Sequence, residues 1–291
     1  MISRDQLQAQ LDGLRWQSIG PSVVVLHNGE LTPEQLRWAA VLHAGSLGST
    51  ALAAWTAAED AGLDGWSRPT THVLVRRGVL VPKLAGVAIT VHESRRFEPE
   101  RDVHPTATPP RTRVERSLID AAAWSPTGRA ACGILAASVQ QRLTTADRLL
   151  RALDTVGAIN RRRLLASCLV DIGGGAQAVS ELDFLRFCRR HGLPQPRQQV
   201  VRLDAAGRRR YLDAVLVGPN KKPVRVEIDG ALHLVALTYW SDMARDNELY
   251  LARSHGLRFP SFAVRADDPV VVDQLRRALG LAAASSQVVS A

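Results

Sequence analysis

Lysine is nearly absent from this chain: Lys83, Lys221 and Lys222 are the only three. The basic balance of 37 Lys and Arg against 28 Asp and Glu, a net of +9, is therefore almost wholly arginine. Cysteine is also scarce. Cys132, Cys168 and Cys188 are odd in number and share no metal-ligand spacing, which excludes a disulfide framework or zinc ribbon and suits buried thiols in a reducing compartment. Long apolar runs are missing as well. The longest, such as Val23 to Leu26 and Ala131 to Ala137, fall far short of a membrane span. The N-terminus lacks a basic-then-apolar signal pattern, so a cytoplasmic protein with no membrane association is expected. Gly173-Gly174-Gly175 is not followed by Lys-Ser/Thr and does not match a dinucleotide fingerprint, so it reads as a hinge rather than a phosphate loop.

What is present describes an ordinary globular protein, 46% apolar and 22% charged over 291 residues, long enough for one large domain or two to three small ones. Its charge is uneven. Residues 1–110 hold ten basic and eleven acidic side chains, residues 111–176 ten and five, and residues 177–291 seventeen and twelve. Positive charge concentrated in the last two segments favours a polyanionic partner there, with compositional bias toward arginine as the competing explanation.

Along the chain, Ser3 is placed to cap a helix over Arg4 to Asp12 that Gly13 ends. The stretch around Gly20-Pro21 reads as a hairpin. A helix then hairpin resembles the end of a winged-helix domain without its leading helices; a ribbon packed on the next domain is the alternative. Thr32-Pro33-Glu34-Gln35 is a strong helix start. The pattern then predicts a helix over Ser49 to Ala61, strands at 72–76, 79–82 and 86–92, and a loop from Phe97 to Pro110. His72 and His92 are assigned no role. Helices are predicted from Arg113 through Ala137, over Thr144 to Leu153 and over Asn160 to Leu169, the last bearing the basic cluster Arg161 to Arg163.

The C-terminal part is organised around RRRYLDAVLVGPNKKPVRVEIDGALH, Arg208 to His233. Two alternating strands flank a polar turn. Val224, Val226 and Ile228 share one face, while Arg225, Glu227 and Asp229 share the other. Asp213 and Glu227 each lie seven residues from Asn220, so a hairpin folded there sets them opposite one another, where like charges call for a counter-charge. A divalent cation is one solution. Ion pairing with Arg209, Arg225 or Arg245 is the other.

A helix from Ser180, strands at Gln198 to Leu203, Tyr211 to Leu216 and Val224 to Asp229, a helix over Tyr239 to Ser254, a strand over Leu257 to Val264 and a helix over Pro269 to Leu281 give the order αβββαβα. With Glu181 in the first helix, Asp213 in a strand, then Glu227-Ile228-Asp229-Gly230 and His233, this resembles the very-short-patch-repair-like branch of the PD-(D/E)XK nucleases, an α/β restriction-endonuclease-like fold. The preceding RTRVERSLIDAAAW and VQQRLTTADRL stretches resemble the body of type IV abortive-infection antitoxin-like regulators. The resemblance runs from Leu31 onward.

Residues 1–30 stand apart as a truncated winged-helix-like helix and hairpin, and the resemblance implies an α+β and helical antitoxin-like body at 31–172, a nuclease-like domain at 177–283 and a tail at 284–291. It further implies that Asp213 and Glu227 ligate Mg²⁺ or Mn²⁺, that Glu181, Asp229 and His233 complete a catalytic group, and that DNA is the partner. Arg208, Arg209, Arg210 and Arg245 are the expected nucleic-acid contacts. The family pattern has a lysine where this chain has Asp229, leaving Arg245 or His233 to supply the cation. Two functions follow: a metal-dependent DNA endonuclease, or a non-catalytic antitoxin-like regulator that binds DNA or a nucleotidyltransferase toxin.

Overall fold

A computed structural model of the chain describes residues 2–45, 48–82, 87–173, 181–203, 209–219, 221–229, 247 and 256–282. It is a mixed α and β protein with eleven helices and three small sheets among these residues. Two compact units are distinguished: Met1–Ala121 with Ala152–Gly157, and Ala122–Arg151 with Ala158–Ala291. No helix among the described residues is long and apolar enough to cross a membrane.

Unit 1 opens as its capping residues dictate. Helix α1 (Arg4–Asp12) carries a full capping box, with Ser3 accepting from the Gln6 amide and the Gln6 side chain accepting from the Ser3 amide. Strands β1 (Gln17–Ile19) and β2 (Val23–Val25) pair antiparallel around Gly20, whose φ of 63° suits a residue without a Cβ. Helix α2 (Pro33–Ala44) has the same reciprocal box between Thr32 and Gln35, with Pro33 in its first turn.

The expected helix over 49–61 is corrected. Thr50–Leu52 form strand β3, and only Ala54–Asp60 are helical, as α3. The alanine-rich composition favours helix, yet Thr50, Ala51 and Leu52 pair with Val75, Leu74 and Val73 at the centre of the unit, and that burial overrides propensity. Strand β4 (Thr71–Arg76) pairs antiparallel with β3 and parallel with β5 (Ile89–Ser94). The strand expected at 79–82 does not form: the chain turns at Gly78, φ 90°, and Leu80 is 96% exposed. The expected loop at 97–110 contains a short helix, α4 (Pro99–Asp102), and the buried Phe97. The core gathers Ala40, Val41 and Ala44 of α2 with Leu52, Ala57, Val73 and Val75.

The helical block divides at Ser125-Pro126 into α5 (Val114–Trp124) and α6 (Gly128–Gln140), the latter capped by Thr127. Helices α7 (Ala146–Val156) and α8 (Arg162–Ile172) follow, each ending about three residues beyond its expected end.

In unit 2, α9 (Glu181–Arg190) is followed by β6 (Gln198–Leu203), β7 (Arg209–Val217), β8 (Pro223–Asp229) and β9 (Leu257–Pro260) in a sheet of that order. The first two pairings are antiparallel and β8 with β9 is parallel. The expected strand to Val264 is shorter, because Ser261–Arg265 form a helical turn, α10, before α11 (Pro269–Ala278). The helix expected over 239–254 lies outside the described residues, apart from helical Asn247.

Alternation sorts the sheet into two faces. Ala214, Leu216, Val224, Val226, Ile228, Leu257 and Phe259 are buried in one cluster with Phe184, Phe187 and Cys188 of α9, Leu164 and Cys168 of α8, Cys132 of α6 and Phe262 of α10. Helices α6 and α8 therefore share a core with the C-terminal sheet. The three cysteines are free and buried. Each fully buried Phe or Leu of this cluster contributes about 1.5–3 kcal/mol, so this apolar face fixes the sheet, while the other face carries Asp213, Glu227 and Arg258 together with valines.

Candidate functional site

The polar face of this sheet carries the carboxylates. Residue 213 of β7 pairs with residue 227 of β8, the register expected for a hairpin about Asn220. Their neighbours in the same row are Val200 of β6 and Arg258 of β9. Directly paired positions place β-carbons about 4.5–5.5 Å apart, so the two carboxylates share one patch. Both residues are half-buried, whereas Ala214, Val226 and Ile228, next to them along the strands, are sealed.

The counter-charge comes from a residue the sequence reading did not select. Arg258 Nη2 lies 3.3 Å from Glu227 Oε1, with side-chain exposures of 36% and 38%. Arg209, Arg225 and Arg245 had been the expected ion-pair partners. Strand β9 places Arg258 beside Glu227 through the parallel register Glu227↔Arg258, which no local pattern reveals.

Asn247 locks that placement. Its Nδ2 donates to the Arg258 carbonyl oxygen at 2.9 Å and its Oδ1 accepts from the Arg258 amide at 2.8 Å, while Nδ2 also reaches Gln274 Oε1 at 3.0 Å. The amide thus does for β9 what a neighbouring strand would do. Asn247 is 1% exposed, so these bonds are shielded from water.

Of the other expected site residues, Glu181 opens α9 and Asp229 ends β8 opposite Tyr211, but their side chains lie outside the described residues. So do the side chains of Arg209 and Arg210, both in β7. Arg208, His233 and Arg245 lie outside entirely. Among the described residues no group of three or more His, Cys, Asp or Glu is placed to share a metal ion. Asp213 and Glu227 nonetheless offer the oxygen donors that a hard divalent cation takes.

Unit 1 holds a second titratable pair. His72 Nδ1 and His92 Nε2 lie 2.9 Å apart, and His72 Nε2 is 3.2 Å from Thr70 Oγ1. Burial, then the charge of Arg68, brings His72 down to about 4; burial, then His72 itself, brings His92 down to about 4. These rings are neutral hydrogen-bonding groups joining β4 and β5. Comparison of the chain with family models, with curated proteins and with solved structures finds no match.

Proposed function

We propose that this is a nucleic-acid-binding protein whose C-terminal sheet carries an endonuclease-like centre of the PD-(D/E)XK kind, using Mg²⁺ or Mn²⁺ to hydrolyse DNA phosphodiesters. The observation that carries the reading is the cross-strand pairing of Asp213 with Glu227 on the polar face of a sheet whose other face is sealed. The two carboxylates would hold the metal, which when bound polarises a phosphoryl oxygen and activates water. Arg258, already beside Glu227, would stabilise charge on the phosphate, the role for which position 229 has no lysine. A cytoplasmic location belongs to the same reading and is supported by three free thiols.

The ion pair from Arg258 also favours a second reading, because it neutralises Glu227 without a metal. In that reading the chain is an antitoxin-like regulator whose nuclease-like domain binds DNA or a nucleotidyltransferase toxin without cutting. One experiment separates the two. Purified protein is incubated with plasmid, nicked, mismatched and single-stranded DNA with and without Mg²⁺ or Mn²⁺, alongside Asp213→Asn and Glu227→Gln. Metal-dependent cleavage lost in both variants supports the enzyme. Intact DNA throughout, with retardation on gels unaffected by either substitution, supports the regulator.

A further inference from the structure

The helical side of unit 2 holds a feature that the carboxylate row does not explain. Helices α8, α9 and α10 border an open cleft of about 520 Å³, lined by Arg163, Ser167, Asp183, Arg186, Arg190 and Arg265 with two small apolar side chains. Arg163 and Ser167 are four residues apart on α8, and Asp183, Arg186 and Arg190 follow at three and four residues on α9, so each set shares one helix face. Arg265 closes α10. The sheet separates this cleft from Asp213 and Glu227, since the helices cover the apolar face and the carboxylates occupy the other.

Four guanidinium groups thus meet one carboxylate in the lining. Two further carboxylates stand behind and orient the arginines. Asp171, 1% exposed, accepts from Arg265 and from the Ser261 hydroxyl, and Asp267 holds Arg190 at 3.2 Å and His191 at 3.0 Å. Asp183 pairs with Arg186 at 3.4 Å. A guanidinium carries five donors, so an arginine held by one acid can still present N–H groups to a second anion. Arg163, Arg186 and Arg190 are exposed where they line the cleft, so their guanidinium groups are accessible to a ligand from solvent. Such a lining suits an anion. Guanidinium groups match phosphate oxygens bidentately, and the cleft has the volume of a small-ligand site.

We propose that this cleft is a phosphate-ester binding site, taking either a mononucleotide or one phosphate of a nucleic-acid strand. The site stands independently of the metal reading of Asp213 and Glu227.

The test is calorimetric titration of the full chain at low salt with adenosine diphosphate and, separately, with a short oligonucleotide bearing hydroxyl ends. At least one probe binds, and binding weakens tenfold or more in Arg186→Gln/Arg190→Gln. The matched double variant Arg151→Gln/Arg189→Gln removes the same charge from exposed positions of α7 and α9 outside the lining and leaves binding unchanged. Asp213→Asn also leaves it unchanged, so failure of the nuclease reading and failure of this one are distinguishable. Binding of the diphosphate assigns the site to a free nucleotide; binding of the oligonucleotide alone assigns it to a strand phosphate. Arg186 and Arg190 are 69% and 51% exposed, so the variants are expected to fold; Arg163→Gln serves as a second lining variant. No binding of either probe, or equal loss in the two double variants, overturns the proposal.

Discussion

Among the described residues, two clusters of arginine and carboxylate use the same chemistry to opposite ends. In unit 1, Arg116 bridges Asp102 at 2.9 Å and Asp120 at 2.8 Å, and all three are at most 5% exposed. Asp102 also takes Arg101 at 2.8 Å and the Glu98 amide at 2.9 Å. In unit 2, Glu227 meets Arg258 across one 3.3 Å contact with more than a third of each side chain in water. At its centre the first cluster is sealed from water, with Arg116 paired to both buried acids. The second is half-exposed. Degree of burial, rather than residue type, separates charges that hold a fold from charges that can act on something else.

The sharpest way to break this contrast is to remove one partner from each cluster. Arg116→Met leaves Asp120 buried without its cation and Asp102 with only Arg101. It is expected to destabilise unit 1 by about 3–5 kcal/mol, read by chemical denaturation. A loss below about 1 kcal/mol would place the sealed cluster in the same class as the open one.

A smaller effect is expected in the pH dependence of Asp120. Burial raises its pKa to about 6, Arg116 opposes that rise, and Asp102 adds to it. Its unfolded value is near 3.9. Between these values the folded state binds more protons than the unfolded state, so this group's contribution to stability falls as pH rises from about 4 to 6. His72 and His92, both lowered to about 4, act in the opposite sense, their contribution rising with pH across about 4 to 6.5. The informative quantity is therefore the difference between Asp120→Asn and the parent chain. The variant should gain about 2 kcal/mol relative to the parent between pH 4 and 7. A flat difference would remove Asp120 as a titrating group in this range.

How legible these regions were in the sequence differs for a physical reason. Capping signals at Ser3 and Thr32 act within three residues, and both helices begin where those residues put them. The Asp213↔Glu227 register was equally legible, because one antiparallel hairpin is a local object. Thr50–Leu52 were misread as helix because their strand character comes from Val73 to Val75, more than twenty residues away. Arg258 and Asn247 went unselected for the same reason. The pairing of β8 with β9 is parallel and joins residues about thirty positions apart, so nothing near Arg258 marks it as a neighbour of Glu227. The sequence showed the basic cluster at Arg161 to Arg163, but only the packing of α8 on α9 and α10 separates Arg163, which lines the cleft, from Arg161, whose guanidinium bonds the Ser125 carbonyl at 2.8 Å and the Pro126 carbonyl at 3.0 Å.

The smallest expected effect tests the open cluster directly. Arg258→Gln removes the half-exposed ion pair with Glu227, a contact worth about 0–1 kcal/mol, so the loss of that pair should change stability by less than about 1 kcal/mol. Its effect on Mg²⁺ affinity, measured by calorimetry, carries the information. If the carboxylates form a cation site, Arg258 competes with the ion for Glu227, and the variant should bind Mg²⁺ more tightly, by about fivefold for a pair worth 1 kcal/mol. If Arg258 is also the cation that catalysis requires, the same variant loses cleavage while gaining metal. Tighter binding with cleavage retained would leave the carboxylates as metal ligands and remove Arg258 from the chemistry, whereas unchanged affinity would show that Glu227 serves its arginine alone.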